Sequence, residues 1–383
     1  MTLAQISPPF SFQQPTRLAS MPSVKHFAVG VDNLLSNCAD VSAGQSLLVV
    51  VEPDDSFYRD FVGQRLASFA LQRGLHVTVV AQPLVDGPEH FPPVLLARIA
   101  HADHTVFFSR LGTQGRFLQF PGSGTKIVAY TLDAASLASP FASLPYAFLQ
   151  AVHDRLVKKI AASSSYRITC AHGTDLRADL RPGGSQQADV LTPFTVRNFP
   201  LMTVPPISAQ TLTGTLALSL AILSTSTHVY PDPILPLDSP LLLQIDQGRI
   251  TGFGGEASQA ARARQHFERV ANEVKGDPYS VNSWHTGFNP GTFFEGRAQD
   301  DLSRWGNVAF GSPRYTHFHM VGSDPGDVCG SLFDATISFD GDVLWQEGRL
   351  AWLRSEESEA LARAHEVTLE LLDLSPSIGI GKI

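Results

Sequence analysis

Leu47-Leu48-Val49-Val50-Val51-Glu52-Pro53-Asp54-Asp55 is the stretch whose reading decides the fold. An apolar, β-branched run of this length, closed by acids and a proline, reads as a buried strand followed by a turn. Downstream, Phe57, Phe61, Val62, Leu66, Phe69 and Ala70 recur at helical spacing, and Arg73-Gly74 supplies a basic last turn and a left-handed stop. Leu75 to Val80 is the next predicted strand, Val94 to Ala100 a short helix, and residues 105–108 and 126–130 two more strands. Strand and helix in alternation predict a mostly parallel sheet in an α/β domain over residues 30–160. Glycine-rich phosphate loops follow such first strands in dinucleotide-binding folds. Here Glu52, Asp54 and Asp55 stand in that place and would repel a pyrophosphate.

Beyond a helix predicted over 145–162 the texture changes, and residues 161–383 read as a second, α+β domain. Short strands at 166–170 and 175–180 flank Gly173-Thr174, and longer ones are predicted at 215–223 and 241–244. Asp246-Gln247-Gly248 and Asp340-Gly341 mark two hairpins. A helix is expected over 258–272, and a closing amphipathic helix over 355–372.

The 383 residues are 43% hydrophobic and 17% charged, enough to bury a sizeable core without disulfides or metals. Mean hydropathy is +0.02. A net charge of −8 with no basic stripe argues against a dedicated nucleic-acid binder. The apolar stretch from Leu212 to Val229 is interleaved with Ser and Thr and carries His228, so it reads as buried strands and not as a membrane span. Three scattered cysteines (Cys38, Cys170, Cys329) and an N-terminus without an apolar signal region predict a cytoplasmic protein with reduced thiols.

Candidate chemistry gathers late in the chain. In Thr316-His317-Phe318-His319 the two histidines share one face if the segment is a strand, and can present two imidazoles to one ion. His285 stands between Trp284 and Phe288, in a Gly-, Asn- and Pro-containing segment expected to be a loop. Carboxylates that could complete a site include Glu256, Glu295, Asp324, Asp327 and Asp334, though each taken singly reads first as a solvated surface charge. His101 and His104 are expected to be structural. No nucleophile-elbow serine and no Cys–His pairing points to covalent catalysis.

Four stretches of the second half carry a resemblance. They are Arg249-Ile250-Thr251-Gly252-Phe253 with Gly254-Gly255-Glu256, then Asp277-Pro278 ahead of His285-Thr286-Gly287-Phe288, then Gly306-Asn307-Val308-Ala309-Phe310, and His317-Phe318-His319. Over about residues 165–350 the chain resembles the 2,5-dihydroxypyridine 5,6-dioxygenases, ring-opening enzymes distantly related to the M29 thermophilic aminopeptidases. The resemblance implies one non-haem Fe(II) held by His285, His317 and the residue at 319, where the family has aspartate and this chain has His319. Either His319 or an acid such as Glu256 is then the third ligand. Trp284, Phe288, Arg314 and Tyr315 are the candidates for binding a small aromatic or N-heteroaromatic substrate beside O₂. A homo-oligomer is implied as well. Two other functions stay open. One is a zinc-type hydrolase with Glu256 as general base, since zinc accepts three histidines and a water. The other is a binding protein that has lost the chemistry.

Overall fold

The structure is a computed structural model that describes residues 24–180 and 190–381. Its N-terminal region is rich in parallel strands. Five lie in the order His76–Ala81, Ser46–Val51, His104–Phe108, Thr125–Ala129, Arg197–Phe199, every neighbouring pair parallel. Leu47 to Val51 is buried on both faces, which is why the run carries no polar alternation. The helix Val62–Gln72 covers one face with Val62, Leu66, Ala67 and Ala70, and Gly74 stops it at φ 81°. Phe57 is buried in the turn ahead of that helix, not on it. The fifth strand is recruited from residues well beyond 160.

The rest of the strands form two antiparallel sheets. One has eight strands from Arg249–Gly254 at one edge to Arg349–Leu350 at the other. The second has six, in the order Leu235–Pro236, Ala221–Ser224, Val328–Phe333, Tyr315–Met320, Val281–Thr286, Ile207–Ser208. Both predicted hairpins form. Gln247 and Gly248 take positive φ of 45° and 70° between Leu241–Asp246 and Arg249–Gly254, as a two-residue turn between twisted strands requires. Asp340 and Gly341 do the same between Thr336–Phe339 and Asp342–Gln346.

Two predicted elements are divided. The run expected as one strand over 215–223 is Thr213–Leu218 and Ala221–Ser224, broken at Leu220 (φ 71°), and its halves join different sheets. The closing helix ends at Ala364. There Glu366 turns left-handed (φ 57°) and the Val367 amide donates back to the Ala362 carbonyl, a Schellman ending that buries Val367. Among the described residues no helix is long and apolar enough to cross a membrane.

Candidate metal centre

The site is built on two neighbouring strands of the six-stranded sheet. Val281–Thr286 and Tyr315–Met320 run antiparallel, with His285 directly opposite His317 and Ser283 opposite His319. Residues two apart share a face, so Tyr315, His317 and His319 project to one side and Thr316, Phe318 and Met320 to the other. His285 lies within the strand, not in the expected loop, which begins at Gly287. That difference matters because the strand register, not a loop conformation, brings the third imidazole to the pair.

His285, His317 and His319 are all buried, and each offers a nitrogen within 4.8 Å of the other two. The Nε2 atoms of His285 and His319 are 3.3 Å apart. Two ligands on a tetrahedral zinc-like ion, each about 2.0–2.1 Å from it, would lie about 3.4 Å apart. The His285 Nδ1–H donates to the Val204 carbonyl at 3.2 Å, which fixes the tautomer that leaves Nε2 free, an arrangement typical of ligating histidines. Nδ1 of His317 and of His319 are buried with no hydrogen-bond partner among the described residues. Burial pushes His285 down to about 3 and holds His317 and His319 well below the ordinary histidine value. All three rings are therefore neutral at pH 7, the state in which imidazole binds metals. Donor type, spacing and charge state make this a three-histidine cluster capable of coordinating a metal ion.

The cluster lines a cavity of about 180 Å³ at the carboxyl ends of the parallel strands. A cavity of about 150 Å³ holds a benzene ring, so this one has room for a single-ring molecule. The parallel-sheet region contributes Arg116 and Tyr130, and the antiparallel region contributes the three histidines, His228 and Cys329. No Asp or Glu lines it among the described residues. Cys329 sits opposite His319 in the sheet, and burial pushes its thiol up to about 12, so it is a neutral neighbour and not a thiolate. At the mouth, His228 Nδ1 is 2.7 Å from Asp327 Oδ1, and the carboxylate is buried while the imidazole is partly exposed.

Of the other residues put forward from the sequence as ligand, base or substrate contact, Tyr315 lines the cavity, as do Gly306, Asn307 and Phe310 of the third resembling stretch. The Tyr315 ring stacks on His317 at 5.4 Å, and its hydroxyl pairs with Ser331 at 2.9 Å. Trp284 points to the opposite face of the sheet, against Tyr166, Phe318 and Phe339. Phe288 is buried beside His153 and does not line the cavity. Arg314 is committed elsewhere, with two 2.7 Å bonds to Asp334. Glu256 is the largest departure from expectation. It is the exposed N-cap of the helix Ala257–Val274 and accepts from the Ser258 and Gln259 amides at 3.0 and 2.8 Å. Those bonds and the Ser258 hydroxyl hold its carboxyl down to about 2. Glu256 is tied to a helix cap and does not line the cavity that the three histidines share.

Sequence reasoning did not single out Arg116 or His228. The available signals were slight: a lone cation in the otherwise uncharged run Gly115 to Phe120, and a histidine after Thr225-Ser226-Thr227 at the end of an apolar strand.

No protein-family model matches the chain, and no curated protein sequence does. Solved structures do. The 2,5-dihydroxypyridine dioxygenase of Pseudomonas putida KT2440 superposes with a TM-score of 0.58 at 15% identity, covering 87% of this chain and 98% of its own. Wild-type AmpT of Thermus thermophilus superposes with a TM-score of 0.50 at 12% identity, covering 85% and 99%. At such identities the likeness is one of fold.

Proposed function

We propose that the protein is a mononuclear non-haem Fe(II) dioxygenase that opens a small hydroxylated aromatic or N-heteroaromatic ring. The observation that carries this reading is a buried three-histidine cluster at the wall of a cavity sized for one ring. The fold shared with a 2,5-dihydroxypyridine dioxygenase supports it. Three protein ligands leave positions open on an ion for substrate and O₂. When bound, Fe(II) supplies electron transfer between the ring and O₂.

The chain's own residues do the rest. His285, His317 and His319 would hold the ion as neutral donors. Phe310, edge-on to His317 at 5.7 Å, and Tyr315 wall the site with aromatic surface that excludes water. His228 donates its Nδ1–H to Asp327, and its Nε2, 3.8 Å from a Glu89 carboxylate oxygen, is the atom that would accept the proton of a substrate hydroxyl. A donor set of neutral imidazoles without carboxylate also suits zinc, so a hydrolase is the second reading.

The test is metal analysis of the purified protein, followed by turnover of hydroxylated pyridines and phenols with and without O₂. Iron near one per chain, with ring opening that stops anaerobically or after chelation, is the expected result. Turnover that continues without O₂ would transfer the site to hydrolysis. No stoichiometric metal would end both readings.

A further inference from the structure

Among the described residues two arginines are buried, Arg116 and Arg304, and Arg304 is the one that has a carboxylate partner. Arg304 pairs with Asp133 at 2.8 Å, Arg314 with Asp334 at 2.7 Å, and Arg110 with Glu52 at 2.7 Å. Arg116, 5% exposed, has no carboxylate within ion-pair reach among the described residues. Its guanidinium donates to the Thr113 carbonyl at 2.5 Å and to the Thr227 hydroxyl at 3.0 Å. Its backbone carbonyl is fixed by the Thr195 amide and hydroxyl at 2.9 and 3.0 Å. The side chain is thus held in place and lines the same cavity as the three histidines. Asp327, whose charge acts on it, is engaged by His228. A buried charge left without a partner is strongly unfavourable, and a ligand that brings the opposite charge removes the penalty. The planar guanidinium fork matches a carboxylate in geometry as well as in sign.

We propose that Arg116 anchors a carboxylate of the substrate, so that the compound taken is a hydroxylated aromatic or N-heteroaromatic carboxylate and not a simple phenol or pyridinol. This rests on the proposed single-ring substrate, and it adds a charge argument. With a divalent ion on three neutral imidazoles the cavity would be positive, since Arg116 lines it and no Asp or Glu does among the described residues. An anionic ligand neutralises it.

Titration calorimetry with salicylate, 4-hydroxybenzoate and phenol tests this on the protein as purified and on metal-stripped protein, beside Arg116→Met and Arg116→Lys. The expected result is that at least one of the two carboxylates binds ten-fold or more tighter than phenol. Arg116→Met should erase that preference without changing phenol binding, and Arg116→Lys should retain part of it. Equal binding of all three probes, no binding of either carboxylate, or a preference unchanged in Arg116→Met would overturn the subsite. Should Arg116→Met fail to fold, the wild-type preference and the Arg116→Lys variant decide. Metal content is read separately. A carboxylate preference that depends on Arg116 in protein that holds no metal as purified would keep the subsite and sink the dioxygenase reading, and stoichiometric metal without that preference would do the reverse.

Discussion

Exchanging the imidazole at position 319 for a carboxylate would add a negative charge to the proposed ligand set without removing a ligand, since both donors reach an ion at about 2.0–2.2 Å. His319→Asp is therefore expected to keep stoichiometric metal. His285→Ala, His317→Ala and His319→Ala each delete one of three donors and should weaken metal affinity by about tenfold or more, to judge by the 10–100-fold that even outer-shell changes cost. Competition with a chelator of known affinity checks this; an alanine variant with wild-type affinity would remove that residue from the set. The His317–His319 pair was legible in the sequence because strand periodicity alone puts both on one face. His285 was legible only as a candidate, because its partnership depends on an antiparallel register that no local pattern encodes. Arg116 and His228 arrive from loops in distant parts of the chain and have no fixed spacing to the cluster, so nothing local marked them.

At the scale of elements, neighbours in sequence take opposite duties. Trp284 and Phe318, each beside a histidine, form the reverse face of the site strands, where aromatic contacts add about 0.5–1.5 kcal/mol per pair beyond burial. Trp284→Phe should accordingly lower stability to urea by about 1–3 kcal/mol and leave KM and metal content unchanged. Glu256→Gln should likewise leave turnover and metal intact, with a small drop in melting temperature from the weakened cap; loss of activity would return Glu256 to the site. The helix it caps carries His266, which burial, and then Arg269, push down to about 4. In the unfolded chain that imidazole binds a proton near pH 6.5. Its contribution is thus full above pH 6.5, and falls by about 1.4 kcal/mol per unit as the pH drops toward 4. Urea titrations at pH 7, 6 and 5 should show a shallower acid slope in His266→Leu than in the wild type. Elements themselves were largely legible where runs were periodic. Hydropathy did not mark the break at Leu220 or the left-handed Glu366, because both depend on the tertiary partners that receive the chain afterwards.

Over the whole molecule, the alternating first half announced its parallel sheet, but not that Arg197–Phe199 would cross back to complete it. A three-residue strand is too short to carry a pattern, and its place is set by pairing with Thr125–Ala129. The cavity is the consequence: its walls come from both the parallel and the antiparallel regions, and one continuous apolar core runs through Val49, Val106, Phe199, Ile207, Trp284 and Phe318. Unfolding of one region must then expose the core of the other, and a single cooperative transition is expected. Residues 24–160 expressed alone would lack an edge strand and much of that core, and should not give a sharp transition of their own. Because the histidine cluster exists only when the two site strands are paired, an ion that binds it stabilises the folded chain by mass action. At a free metal concentration of about 100 times the dissociation constant that amounts to about 2.7 kcal/mol. For a chain of this size the gain corresponds to a rise of about 3 °C in Tm. Calorimetry of the metal-free protein with increasing metal should show that rise as a shift of one peak, absent in His317→Ala. Two peaks, of which metal moves just one, would instead show that the regions unfold separately.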